Sequence, residues 1–158
     1  MDGRRVVIGL GNEYRRDDAF GLRVLGELAD RQAYDSRLRG VDLRISDGEP
    51  TRLLDAWAGA GLAVVIDVAD AGGRRPGEWT ERDLPDGAEL SGAAAASGHA
   101  IGLGTTLALG RALGRLPDRL VALVTFADQF GFGTELSVPV AAAVQPVVDR
   151  VCALVGTR

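Results

Sequence analysis

One cysteine, one histidine and no lysine occur among the 158 residues, which excludes several kinds of chemistry at the outset. Cys152 alone cannot close an intrachain disulfide or build a cysteine-based metal cluster. It lies in a valine-rich periodic segment, where a thiol packs as a small hydrophobe. His99 is the only imidazole, so no serine–histidine or cysteine–histidine nucleophilic arrangement stands out. The basic residues are all arginine, a bias of composition rather than of mechanism. A net charge of −4 lacks the basic excess that neutralises phosphates, so no nucleic-acid partner is expected. No segment approaches the ~20 apolar residues of a membrane span, and Val6 to Ile8 is too short for the core of a signal peptide. The expectation is a cytoplasmic protein without a membrane partner.

What is present fits an ordinary globular domain. Hydrophobic residues make up 46% and charged residues 25%, too apolar for disorder. A chain of this length forms one domain over residues 1–158 and buries ~70% of the surface its unfolded form exposes.

Short β-branched runs alternate with amphipathic segments along the whole chain. Arg5 to Gly9 reads as a buried strand, and Asp17 is placed to cap a helix carrying Phe20, Val24, Leu25 and Leu28. Val41 to Ile45 alternates strictly, the pattern of a strand near a sheet edge. Pro50 stands in the first turn of a helix bearing Leu53, Leu54 and Trp57 that stops near Gly59 to Gly61. Leu62 to Ile66 is apolar without alternation, a central strand ending at Asp67. From Asp70 to Gly98 the chain reads as a long glycine- and alanine-rich loop with room for a short strand at Glu78 to Thr80. A helix follows His99, Leu120 to Phe126 forms another buried strand, and Val140, Val144, Val147, Val148, Val151 and Leu154 trace one helical face. This order predicts an α/β fold, a three-layer domain with a mainly parallel twisted sheet and helices on both faces.

Gly9-Leu10-Gly11 after a strand opens like a dinucleotide fingerprint, but Tyr14 stands where the third glycine belongs. Asp17 and Asp18 also occupy the place of phosphate charge, which disfavours nucleotide binding. Asp18, Asp67 and His99 instead deliver two carboxylates and an imidazole to the carboxyl ends of the strands, where open parallel sheets bind ligands. That set suits a borderline divalent ion such as nickel or zinc, with coordination positions left open. Each member has a plainer reading: first-turn acid for Asp18, hydrogen-bonded structural carboxylate for Asp67, structural helix-start imidazole for His99.

Gly9-Leu10-Gly11-Asn12 with Asp17-Asp18-Ala19-Phe20-Gly21 resembles the opening motif of the hydrogenase maturation endopeptidases. Asp47-Gly48, Val65-Ile66-Asp67, Ser97-Gly98-His99-Ala100-Ile101-Gly102-Leu103, Pro117 and the segment 133–139 match later motifs in order and spacing. The resemblance implies a peptidase, often grouped with the aspartic type, that removes a C-terminal peptide from the hydrogenase large-subunit precursor after nickel insertion. Its nickel-contacting and catalytic positions fall on Asp18, Asp67 and His99, with nickel supplied by the substrate protein rather than permanently bound. Some relatives carry glutamate at the first of these positions, one methylene longer than Asp18. Glu49-Pro50-Thr51 departs from the glycine and threonine that follow Asp47-Gly48 in many relatives, and marks a subgroup serving a different hydrogenase.

Two mechanisms remain open on this reading. The metal polarises the scissile carbonyl or activates a bound water; alternatively a free carboxylate, Asp17 or Asp67, acts as general base. The loop before His99 is the expected element of substrate adaptation. Two other functions fit the same residues: a non-catalytic sensor or chaperone of nickel loading, and a peptidase acting on an unrelated precursor.

Overall fold

Five strands form one sheet in the order β2-β1-β3-β5-β4. The computed structural model describes residues 3–84 and 98–156, with side chains in the latter segment from residue 103 onward. The strands are β1 (Arg4–Leu10), β2 (Asp42–Ser46), β3 (Ala60–Asp70), β4 (Trp79–Asp83) and β5 (Arg119–Ala127). The helices are α1 (Phe20–Arg31), α2 (Pro50–Trp57), α3 (Gly98–Leu113), α4 (Val138–Ala142) and α5 (Val144–Gly156). All pairings are parallel except β4 with β5.

Alternation along the strands sorts the core into two clusters. Val7, Val64, Ile66, Val121 and Leu123 meet α1 and α5 on one face. Val6, Ile8, Val65, Ala122 and Val124 meet α2 and α3 on the other. The expected three-layer architecture is therefore present. The alternating run is an edge strand, and the uniformly apolar run holds the centre of the sheet.

Three local features depart from the sequence reading. β3 runs past Asp67 to Asp70, because β5 continues beside it as far as Ala127. The valine-rich segment near the C-terminus is broken at Ala143 into α4 and α5. Pro146 has no N–H to donate to the Ala142 carbonyl, so the ladder is interrupted there. Taken together, Val138–Gly156 is also long and apolar enough to cross a membrane, contrary to the expectation of no such segment. Half of it is buried within the domain, where Val147, Val148 and Val151 belong to the core.

The long loop expected between Asp70 and Gly98 contains β4, an antiparallel edge strand broader than the short one anticipated. Residues 85–97, to which substrate adaptation was assigned, lie outside the described residues.

Candidate active site

The strand order reverses between β1 and β3, since β2 lies on one side of β1 and the later strands on the other. A crevice forms at the carboxyl ends of the strands at such a switch point. β1 ends at Leu10, while β3 pairs with it through Ile66 and then continues. Asp67 is thus the first residue of β3 beyond the shared ladder.

Asp67 is 2% exposed, and its Oδ1 accepts a hydrogen bond from the Val68 N–H at 2.7 Å. It alternates in phase with Val65 and Ala69, so its side chain heads for the α2/α3 face. α3 leads within five residues into the start of β5, at the opposite end of the sheet. A helix of 16 residues spans about 24 Å, close to the length of β5, which returns its first turn to the carboxyl rim. His99 belongs to that first turn; its side chain lies outside the described residues.

Asp18 reaches the same rim from β1. It sits in a 3-10 turn, Arg16–Ala19, that leads into α1 and packs against β3. Gly21 sets the depth of this approach: a Cβ there would lie 2.6 Å from the Leu10 carbonyl oxygen and 2.9 Å from that of Ile66. No side chain fits between the first turn of α1 and the ends of β1 and β3. The Asn12 N–H donates to the Asp18 carbonyl at 3.2 Å, which clamps the turn onto the preceding loop. Among the described residues no group of three potential ligands is fully assembled; the third member expected, His99, is not among the side chains described.

Asp17 has a structural part that the sequence reading did not offer. It does not cap α1, whose first turn follows Ala19 and has no side-chain cap. The Asp17 carboxylate is fully buried and accepts from the Ser137 N–H at 2.7 Å and the Ser137 hydroxyl at 2.8 Å. It thereby satisfies Ser137, the residue that caps the start of α4, 120 residues away in sequence. The neighbouring loops are stitched to match: Arg16 N–H donates to Gly133, Gly133 N–H to Tyr14 and Asp17 N–H to Gln129. Ser137 followed by Pro139 is a helix-start pattern visible in sequence, but its partner across the fold is not.

A cavity of about 730 Å³ opens beside Asp18, between the loop 11–15 and the end of β2. Leu22 and Ile45 line it, with the Asp47–Arg52 ion pair at 2.9 Å on its rim. The Arg52 guanidinium, bonded to Asp47, holds that carboxyl below the usual range. The Glu49 that departs from the family pattern caps α2, accepting the Arg52 N–H at 3.0 Å and the Thr51 hydroxyl. Cys152 is fully buried, as expected, and burial pushes its thiol up from its ordinary value.

Fold and rim together are those of an α/β protein with a crevice at the switch point of its sheet. The model of the hydrogenase maturation proteases matches residues 46–154, and the chain belongs to that family. It is 27% identical over 153 residues to the hydrogenase expression/formation protein HupD of Bradyrhizobium diazoefficiens, covering 96% of this chain and 78% of HupD. The hydrogenase maturating endopeptidase HybD of E. coli superposes with a TM-score of 0.78 at 23% identity, over 96% of this chain and 91% of that one. The [NiFe] hydrogenase maturation protease HybD of Thermococcus kodakarensis gives 0.73 at 26% identity, over 96% and 99%. The chain is accordingly a peptidase.

Proposed function

We propose that this peptidase removes the C-terminal peptide of a nickel-loaded [NiFe]-hydrogenase large-subunit precursor, reading the metal through Asp18, Asp67 and His99. The observation that carries this reading is the convergence of the 3-10 turn, β3 and the first turn of α3 on one rim of the sheet. The nickel arrives with the substrate, held by the precursor's own cysteines. Two carboxylates and an imidazole complete its coordination and seat the scissile peptide at the crevice.

The ion then polarises the scissile carbonyl or lowers the pKa of its water. In the general-base version the two hydrogen bonds from Ser137 to Asp17 count against that residue and favour Asp67.

The test is incubation with nickel-loaded and nickel-free precursor, followed by intact mass. Loss of a C-terminal peptide only from the loaded sample is expected. Binding of the loaded precursor without any mass change would replace the peptidase mechanism by nickel sensing alone. Equal cleavage of both samples would remove the metal from the mechanism.

A further inference from the structure

We propose that the cavity beside Asp18 is a specificity subsite for an apolar side chain of the precursor next to the scissile bond, with Leu22 and Ile45 as its floor. The inference rests on the function proposed above. Ile45 is 63% exposed, although the strand position two residues earlier, Leu43, packs into the core on the same face. A single exposed apolar residue needs no explanation. Here it faces a cavity of about 730 Å³ together with a second apolar side chain, Leu22 of α1, and the cavity opens onto Asp18 itself. That volume lies within the usual range of ligand pockets.

Glu13, Arg15 and Asp18 line the near side of the cavity, and charge on the far rim is paired. Arg52 bonds Asp47 through Nη2 at 2.9 Å and Nε at 3.4 Å. An ionic substrate group entering there would compete with that pair, whereas an apolar side chain meets Leu22 and Ile45 with the pair left intact. The position fixes the occupant as well. Asp18 is both a wall of this cavity and a member of the proposed nickel-reading set, so a peptide held at the rim has its next side chains within reach of Ile45.

The experiment measures cleavage and binding of the nickel-loaded precursor by the full chain and its Ile45→Asp and Ile45→Leu variants. Ile45→Asp is expected to raise KM about tenfold with kcat within about twofold, and Ile45→Leu to restore the original KM. The three precursor residues on each side of the bond are then changed singly to glutamate. One of these precursors is expected to be cleaved poorly by the unmodified enzyme and better by Ile45→Arg, identifying the side chain that enters. An unchanged KM for Ile45→Asp, with efficient cleavage by the unmodified enzyme, overturns the subsite alone. If the unmodified enzyme binds the precursor without cutting it, the peptidase mechanism fails and the subsite is judged by Kd, which Ile45→Asp must weaken about tenfold. If the unmodified enzyme does not bind at all, both proposals fall.

Discussion

Asp17 and Ser137 form a two-point hydrogen bond across the fold, with one carboxylate oxygen on the Ser137 N–H at 2.7 Å and the other on its hydroxyl at 2.8 Å. The next residue, Asp18, lines the cavity at the rim. Consecutive aspartates thus differ in their surroundings: the buried one fixes the loop, and the partly exposed one faces the cavity. Removing the Asp17 carboxylate leaves the half-buried Ser137 N–H without its acceptor and cuts the tie between the 3-10 turn and the start of α4.

Asp17→Ala is therefore expected to cost about 3 kcal/mol of folding stability, and Ser137→Ala about 1 kcal/mol because the backbone bond survives. Asp17→Asn keeps an acceptor and recovers most of the loss. Urea denaturation measures all three. Comparable stability for Asp17→Ala and the unmodified protein would show that the bond contributes nothing.

Asp18→Ala reverses the balance. Precursor cleavage falls ~100-fold or more, as for loss of a metal-contacting group, while the urea midpoint moves little. Parallel loss of activity and stability in Asp18→Ala would mark it as structural, like its neighbour.

The sheet was legible in the sequence because burial leaves a period. Leu62 to Ile66 could only be a doubly covered strand, and the strict alternation of Val41 to Ile45 placed it at an edge. The convergence of Asp18 and Asp67 at strand ends followed from the same topology. Asp17 was misread as a local cap because a helix-start aspartate looks alike whether it serves its own turn or one 120 residues away. Leu22 and Ile45 escaped for a similar reason: an apolar residue on a strand or helix reads as core, and only the end of α1 relative to β2 leaves them facing a cavity.

Thr125 supplies a test within the core. It is fully buried on β5, and among the described residues its hydroxyl has no hydrogen-bond partner. An unsatisfied buried hydroxyl carries a desolvation cost that an isosteric methyl does not. Thr125→Val should be neutral or stabilise the fold by about 1 kcal/mol, read as a rise in Tm. A loss of more than about 1 kcal/mol would mean the hydroxyl is satisfied in solution.

Acid should weaken the fold through exposed carboxylates paired with arginine. The Arg37 guanidinium, bonded to Asp35, lowers that carboxyl to about 2. Bonds from Arg150 and Arg119 likewise hold Glu81 and Asp83 below their ordinary values. Groups with depressed folded pKa values contribute stability that is present above their unfolded values, roughly 4, and lost as pH falls through the folded ones. The loss belongs between about pH 4 and pH 2. An Arg119→Gln/Arg150→Gln variant should show a smaller drop in stability from pH 6 to pH 2.5, and high salt should narrow the difference, because these pairs are screened. An identical pH profile in the variant would assign the acid loss to other groups.

Gly11 joins the fold to the site most directly. Its φ is +151°, and a Cβ there would lie 1.9 Å from the Asp18 carbonyl oxygen. Gly11→Ala must therefore displace the turn that carries Asp18 or distort the end of β1. The backbone strain alone costs about 2 kcal/mol. A shift of roughly 1 Å in a substrate-positioning group costs ~100-fold in rate. Gly26 is the matched control: it lies on the exposed side of α1, and a Cβ there meets nothing within 4 Å. Gly26→Ala should stabilise the helix by roughly 0.5–1 kcal/mol and leave cleavage unchanged. Denaturation and precursor cleavage, measured on both variants, separate the two effects. Full cleavage by Gly11→Ala would mean that the position of Asp18 does not limit the reaction.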